Sequence, residues 1–584
     1  MSRAWGRRWT VASGLLALLG LGLGCGPRGS TRAPEEGRAP VAELVLTHGV
    51  VYTLDPSRPW AEALAIADGE LLAVGTNDAA LRHRGLRTRV VDLAGQLVLP
   101  GFHDAHVHPV TGGIELSQCD LNGIADREQL RKTVQRCAQQ QRGRPWLEGG
   151  GWDLTLFPQG NPSRAWLDAI VPDVPVYLSS ADGHSAWLNG EALRRAGITA
   201  DTPDPPHGRI ERDADGAPSG VLREDAMELA QEHLPPLRAA DYEAGLRRGL
   251  AMANRFGITG LHEANGSAEV LAAYESLAAA GELTARVVVA QQLEPSQGAA
   301  QFSELQRRRD RIAHPRLRAT AVKIFADGVI EAGTAALLRP YEGSESTGTL
   351  NLPPEQLHEV VREADARGFD IHVHAIGDRA IRVTLDALEA AMRDNPPRSR
   401  RHVIAHLQLF DPADIPRFES LGVIASFQPL WAYADPYIVD LTIPVLGPER
   451  SRWLYPIGSV MATGARVVMG SDWSVSSMDP LQGITVALTR RSTGQPPGPA
   501  WIPEEVVALE PVLAAYTVQG AYLDRWDDVT GSLVEGKRAD LAVLDRNLFE
   551  VPPHQIHEAR VVTTMLDGEV VYRGEGDRIV GSQR

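Results

Sequence analysis

His106 and His108 lie one residue apart in "GFHDAHVHP" (101–109), directly after the apolar run "QLVLP" (96–100). Side chains alternate along an extended chain, so two histidines at i and i+2 point to one side and can hold one metal ion. Further metal-competent groups close other apolar runs: Lys323 in "VKIFADG", His374 in "HVHAIGDRA", His406 in "HVIAHLQ" and Asp472 in "GSDW". A lone strand-end histidine reads as a hydrogen-bonded core residue. Four imidazoles, a lysine and a carboxylate at one mouth are another matter, because their joint desolvation is costly unless a cation compensates.

Lys323 raises its own question, since a protonated ammonium beside a metal ion would be repelled. A buried lysine can lose its proton. Once neutral it can take up carbon dioxide and become a carbamate, an anionic oxygen donor able to bridge two ions. The alternative is an unmodified lysine paired with Asp327. Among the neighbours, His372 reads as a ligand or substrate contact, and His103 and Asp104 as turn and hydrogen-bonding residues. His262 and His402 read as core or supporting groups, and Asp378 with Arg379 as a buried loop pair.

These residues need a scaffold that brings strand ends together. Apolar strands alternate with Ala-, Leu-, Glu- and Arg-rich helical stretches, the pattern of βα units around a parallel sheet. The strands predicted are 97–102, 257–264, 285–293, 319–328, 369–377, 402–408, 422–429 and 466–472. Eight parallel strands predict a TIM-type (β/α)8 barrel, which carries its chemistry at the C-terminal ends of its strands. The interval from about 110 to 250 is too long for an ordinary connection and predicts an inserted subdomain. Its "EGGGWDLTLFPQGNPSRAWLDAIVPDVPVYLSSADGHSAWLNG" (148–190) holds Asp182, Gly183 and His184. Trp152, Phe157 and Trp187 are either aromatic pocket walls, which would favour an apolar substituent on the substrate, or packing residues.

Short alternating runs at 42–55, 62–75 and 88–100, and again at 531–545 and 559–574, predict a β-sandwich built from both chain ends. The expected organisation is therefore sandwich over 41–97, barrel over 98–510, and a C-terminal helix with return to the sandwich over 511–584. With 584 residues, 43% of them apolar, the chain exceeds one compact core. A formal net charge of −16 argues against nucleic acid and for a small-molecule partner.

The start "MSRAWGRRWTVASGLLALLGLGLGC" reads as a basic, then apolar export signal over 1–24. "LGLGC" resembles a bacterial lipobox, which implies a lipid on Cys25, a Pro/Gly-rich tether over 26–40 and a membrane-anchored place in the cell envelope or periplasm. An uncleaved N-terminal anchor is the other reading. Cys119 and Cys137 then either form a disulfide or stand as separate buried thiols.

"PGFHDAHVHP", "VKIFADG", "HVHAIGDRA", "HVIAHLQ" and "GSDW", in this order, resemble the motifs of the amidohydrolase superfamily. With "GGGWD", "DGHSAWLN", "YTVQGA" and "GSLVEGKRADLAVLD" they resemble more narrowly amidohydrolase family 3, the branch that includes N-substituted formamide deformylases. The resemblance spans about 42–574. It implies His106, His108, Lys323, His374, His406 and Asp472 as ligands of one or two divalent ions, zinc first among the candidates, with Lys323 carboxylated. It further implies Asp472 as general base and His184 as a substrate-orienting residue. The implied reaction is hydrolysis of a non-peptide C–N bond of a small-molecule amide by metal-activated water. A lactonase or ester hydrolase would use the same centre, and a lipid-anchored binding protein would use the same pocket without turnover.

Overall fold

The computed structural model describes residues 40–579. The export signal, Cys25 and nearly all of the tether lie outside the described residues. Among the described residues, no helix is long and apolar enough to cross a membrane.

Eight parallel strands form the central sheet: β1 Phe102–Val107, β2 Ile258–Gly266, β3 Arg286–Gln292, β4 Leu317–Phe325, β5 Asp370–Ala375, β6 Val403–His406, β7 Ile424–Phe427 and β8 Val467–Met469. They pair in chain order from β1 to β8. The ends meet just beyond the strands, where Asp472 N–H donates to the His106 carbonyl (2.7 Å) and His108 N–H to the Trp473 carbonyl (3.0 Å). The sheet is thus nearly a closed barrel with helices outside. The helix Asp378–Asp394 shows why such segments cover it: Ile381, Thr384, Leu385, Leu388 and Ala391 recur at helical spacing and are buried.

The first barrel strand begins later than the sequence predicts. Leu97–Pro100 is a sandwich strand, antiparallel to Leu541–Leu544, and β1 starts only at Phe102. Pro100 and Gly101 make the junction. A Cβ on Gly101 would stand 2.1 Å from Thr259 Oγ1, so only glycine lets the chain pass from one sheet to the other there. His103 and Asp104 consequently sit inside a strand rather than in a turn.

Both chain ends share the sandwich. One sheet runs Glu70–Gly75, Ala63–Ala67, Ala42–Thr47, Arg84–Asp92. The other joins Glu569–Arg573, Val561–Leu566 and Leu541–Leu544 to Leu97–Pro100, Val50–Tyr52 and Trp60–Ala61. Leu46, Leu64, Val98, Leu541 and Val543 are buried together in its core. Two short helices, Leu509–Ala515 and Val518–Leu523, stand where one C-terminal helix is expected.

The insertion between β1 and β2 has its own six-stranded sheet, from Gly208–Arg212 at one edge to Cys119–Asp120 at the other. Cys119 and Cys137 are disulfide-bonded, with Cα atoms 5.5 Å apart, which ties the edge strand to the helix Arg127–Gln140. Trp152 and Trp187 are fully buried and pack with Phe157, Leu178 and the disulfide. They form this subdomain's core, and none of the three lines the barrel cavity, so the pocket-wall reading of that trio is corrected.

Candidate metal centre

At the mouth of the barrel a cavity of about 470 Å³ is lined by His106, His108, Lys323, His374, His406 and Asp472, and by His184 from the insertion. β1 presents His106 near its end, and His108 follows as the residue that opens the helix Pro109–Glu115. Ligand-competent atoms of His106, His406 and Asp472 all lie within 4.8 Å of one another. Asp472 Oδ1 stands 3.5 Å from His106 Nε2 and 3.1 Å from His108 Nε2, and Oδ2 stands 3.9 Å from His406 Nδ1.

Each ring also has a nitrogen tied to the protein, which at His406 is the same Nδ1 that lies nearest Asp472. His106 Nδ1 meets His372 Nε2 at 2.8 Å, His108 Nδ1 meets Glu263 Oε1 at 3.3 Å, and His406 Nδ1 meets Gln428 Oε1 at 3.0 Å. His374 Nε2 faces the Gly328 carbonyl at 3.2 Å, which leaves Nδ1 as its free donor. Such anchoring fixes tautomer and ring orientation. His106 Nε2 is buried without a hydrogen-bond partner. An orphaned imidazole nitrogen facing a carboxylate among further imidazoles fits a divalent cation, and these residues would hold one.

At His106, His374 and His406 the electrostatics agree with that assignment. Burial, then the neighbouring Lys323 and imidazoles, hold His106 and His406 well below the ordinary histidine range, so both offer lone pairs. His374 is lowered by burial and by His184. Burial pulls the Lys323 ammonium down to about 7, against the raising influence of Asp472 and Glu263. Asp327 does not pair with Lys323: its carboxylate accepts from the N–H groups of Ile376, Gly377 and Ala336 (2.9–3.0 Å). His108 is opposed by burial, yet hydrogen bonds to Asp472 and Glu263 lift it to about 9.

The backbone is left-handed at His406 (φ 77°) and Asp472 (φ 52°). Such positions cost on the order of 1–3 kcal/mol and cluster where a side chain must be aimed. Asp104 supports this corner from β1: it accepts from Ser471 N–H (2.9 Å) and Ser471 Oγ (2.5 Å) and from His106 N–H (3.2 Å), and burial pushes it up to about 7.

His184 Nδ1 lies 2.8 Å from Glu224 Oε2, whose other oxygen accepts from Thr334 Oγ1 at 2.7 Å. Burial opposes protonation of His184, but Glu224 and Asp182 override it and raise it to about 9. The Glu224 carboxylate thus favours the protonated ring and occupies its Nδ1, while the side chain lines the cavity. His262 and His402 serve in support: His262 Nδ1 meets Asp524 Oδ1 at 2.7 Å, and His402 Nε2 stands 3.3 Å from Asp365 Oδ1. His372 contacts His106 rather than lining the cavity. Asp378 begins a helix and accepts from the Leu338 and Arg379 N–H groups, so no side-chain pair with Arg379 forms.

The sequence reading missed Glu224 and Glu263, and it missed the cavity wall of Trp431, Tyr433, Tyr437 and Tyr455. The signal was present. "PLWAYADPY" (429–437) directly follows β7 on the functional side of the barrel. Trp431 stacks on the His406 ring at 5.7 Å between centroids and 11° between planes.

A nearly closed parallel barrel with a cation-ready cluster at its C-terminal mouth defines the class of metal-dependent hydrolases. Residues 89–572 match the family model described as amidohydrolase family, and the chain belongs to that family, in its family 3 branch. The chain is 31% identical to the protein LONG AFTER FAR-RED 3 of Arabidopsis thaliana, over 91% of this chain and 92% of that one. It is 26% identical to an N-substituted formamide deformylase of Arthrobacter pascens, over 91% of this chain and 99% of the deformylase. Among solved structures, a metal-dependent hydrolase from Pyrococcus horikoshii is similar with a TM-score of 0.69 at 26% identity, covering 87% of this chain and 99% of that one.

Proposed function

We propose that the chain hydrolyses a non-peptide C–N bond of a small molecule, an amide of the formamide type. The observation that carries this reading is the convergence of His106, His406 and Asp472 donor atoms within 4.8 Å in a cavity at the barrel mouth. Similarity to a formamide deformylase over nearly the whole chain supports the bond class. His106, His108, His374, His406, Asp472 and Lys323 would hold one or two divalent ions, and their nitrogen and oxygen donors suit zinc. A bound divalent ion brings the pKa of water toward neutrality and polarises a carbonyl.

The protein's own groups do the rest. Asp472 is placed to accept a proton from the attacking water at a carboxylate oxygen and to return it to the departing nitrogen. His184, held as a donor by Glu224, gives its Nε2 hydrogen bond to the substrate oxygen, where negative charge develops. Burial, which disfavours the Lys323 ammonium, favours carboxylation, since the free amine is the form that adds carbon dioxide. We place the enzyme at the cell envelope, attached through a lipid on Cys25.

Paired formamide and ester analogues of one alcohol and amine skeleton, assayed with the zinc-reconstituted protein, test the bond class. Higher kcat/KM on the formamide relative to each compound's uncatalysed rate is the expected result. Turnover of esters or lactones alone would overturn it.

A further inference from the structure

The cavity continues outward from the metal centre, and its outer wall is acidic. Asp153, Asp182, Glu331 and Asp435 all line it, and Lys323 on the floor is its only lysine or arginine. Their hydrogen bonds come from uncharged donors, among them the Ser180 hydroxyl and the His184 backbone N–H at Asp182. Asp153 caps Thr155, Asp182 accepts from Tyr437 Oη at 2.7 Å, Glu331 accepts from Gln408 and Thr442, and Asp435 accepts from Ile438 N–H. Three of the four use one oxygen only: Oδ1 of Asp153, Oε1 of Glu331 and Oδ1 of Asp435. No other residue among the described ones donates to the second oxygen of any of the three.

A second observation points the same way. Tyr455 is only 3% exposed and lines this cavity, within electrostatic reach of Glu331 and Asp435, yet its hydroxyl has no hydrogen-bond partner among the described residues. The nearest guanidinium, on Arg490, is spent on the carbonyls of Leu454, Tyr455 and Trp501. His184, in the same cavity lining, is already held by Glu224 and Asp182. An apolar substrate arm would leave these carboxylates desolvated and unpaired, which is costly. A cation among them, against the rings of Trp431, Tyr433 and Tyr437, would be paired on all sides.

We propose that this outer cavity takes an organic cation, an ammonium or amidinium arm of the substrate, with Asp153, Glu331 and Asp435 as its counter-charges and Tyr455 Oη as a further acceptor. The assignment rests on the amide-hydrolase reading for the word substrate, but not for the binding site itself. Burial first, then Glu331 and Asp153, push Asp435 up to about 6, and burial with Asp182 raises Glu331. Both shifts are what carboxylates show when they crowd together without a counter-ion, and a bound cation would reverse them.

Two measurements on the zinc-loaded protein test this. The first compares N-[4-(aminomethyl)benzyl]formamide with N-(4-ethylbenzyl)formamide, which differ by an ammonium in place of a methyl. The cationic compound is expected to have kcat/KM about 10-fold or more above the neutral one, a ratio that corresponds to about 1.4 kcal/mol. That ratio should shrink in 0.5 M salt and in the double variant Glu331→Gln/Asp435→Asn. The second measures calorimetric binding of phenethylammonium against 2-phenylethanol, with no turnover involved. Salt-sensitive binding of the ammonium alone, weakened in the double variant, upholds the cation site even if neither formamide is hydrolysed, in which case the amide reading fails by itself. Equal kcat/KM for both formamides together with equal binding of ammonium and alcohol overturns the cation site and leaves the hydrolase reading standing.

Discussion

Replacing Glu224 by Gln removes the charge that keeps His184 protonated while preserving the shape of the contact. His184 is held at about 9 in the folded protein, against an ordinary value of 6.5, and its side chain is mostly buried. A group raised on folding stabilises the protein fully below its unfolded pKa, and that stabilisation is lost as pH rises through the folded pKa. For these values the contribution is about 3 kcal/mol at pH 6, about 2 kcal/mol at pH 7.5 and close to zero at pH 10. Unfolding entropy for roughly 540 ordered residues is about 1 kcal/mol/K, so the variant's thermal midpoint should fall about 3 °C below wild type at pH 6 and about 2 °C at pH 7.5. The two should coincide at pH 10. Scanning calorimetry of both zinc-loaded proteins across that range reads the difference directly. In turnover, the alkaline limb of the kcat/KM profile should move from about 9 in wild type to 6.5 or below in the variant. A midpoint difference that stays constant with pH, or an unchanged alkaline limb, would refute the role of the His184–Glu224 pair.

Asp472→Asn should keep much of the metal while turnover drops by a factor on the order of 100 to 10,000, measured by elemental analysis beside steady-state rates; near-normal turnover would remove Asp472 as the base. Lys323→Met should lower metal retention, and wild-type apoprotein given zinc without bicarbonate should regain activity only when bicarbonate is added, which a stopped assay detects; recovery independent of bicarbonate would exclude the carbamate. Cys119→Ser opens a disulfide spanning 18 residues of sequence and should destabilise the insertion by about 3 kcal/mol, visible as earlier proteolytic cleavage within 110–250.

The barrel was legible because its signals are local and repeat, and the six metal-competent residues singled out in sequence all line one cavity. Each apolar run ends in a polar residue that has no reason to be there in a plain core, and eight such runs in order specify the sheet. The start of β1 was not legible, because "QLVLPGFHDAHV" is one apolar run whose division depends on Gly101 meeting Thr259, a contact between residues far apart in sequence. The same holds for Glu224 and Glu263, ordinary glutamates until the fold brings them to His184 and His108. The pairing of Cys119 with Cys137 was open in sequence for the same reason: either two thiols or one bond satisfies a spacing of 18, and only packing around Trp152 and Trp187 brings the sulfurs together. Of the two readings open for Trp152 and Trp187, packing is the one that the fold realises. Their setting among glycines in "EGGGWD" and "DGHSAW" looks like a binding loop, whereas Gly149 and Gly150 let the neighbouring strands of Cys119 and Ser179 approach closely beside a buried aromatic core.

Metal content tests the central claim most directly. Elemental mass spectrometry on the protein purified without chelator, beside His106→Ala/His108→Ala, should find near-stoichiometric divalent metal in the wild type and little in a folded variant. A folded wild type that stays metal-free after addition of zinc and bicarbonate, or a double variant that binds metal as well as the wild type, would contradict it.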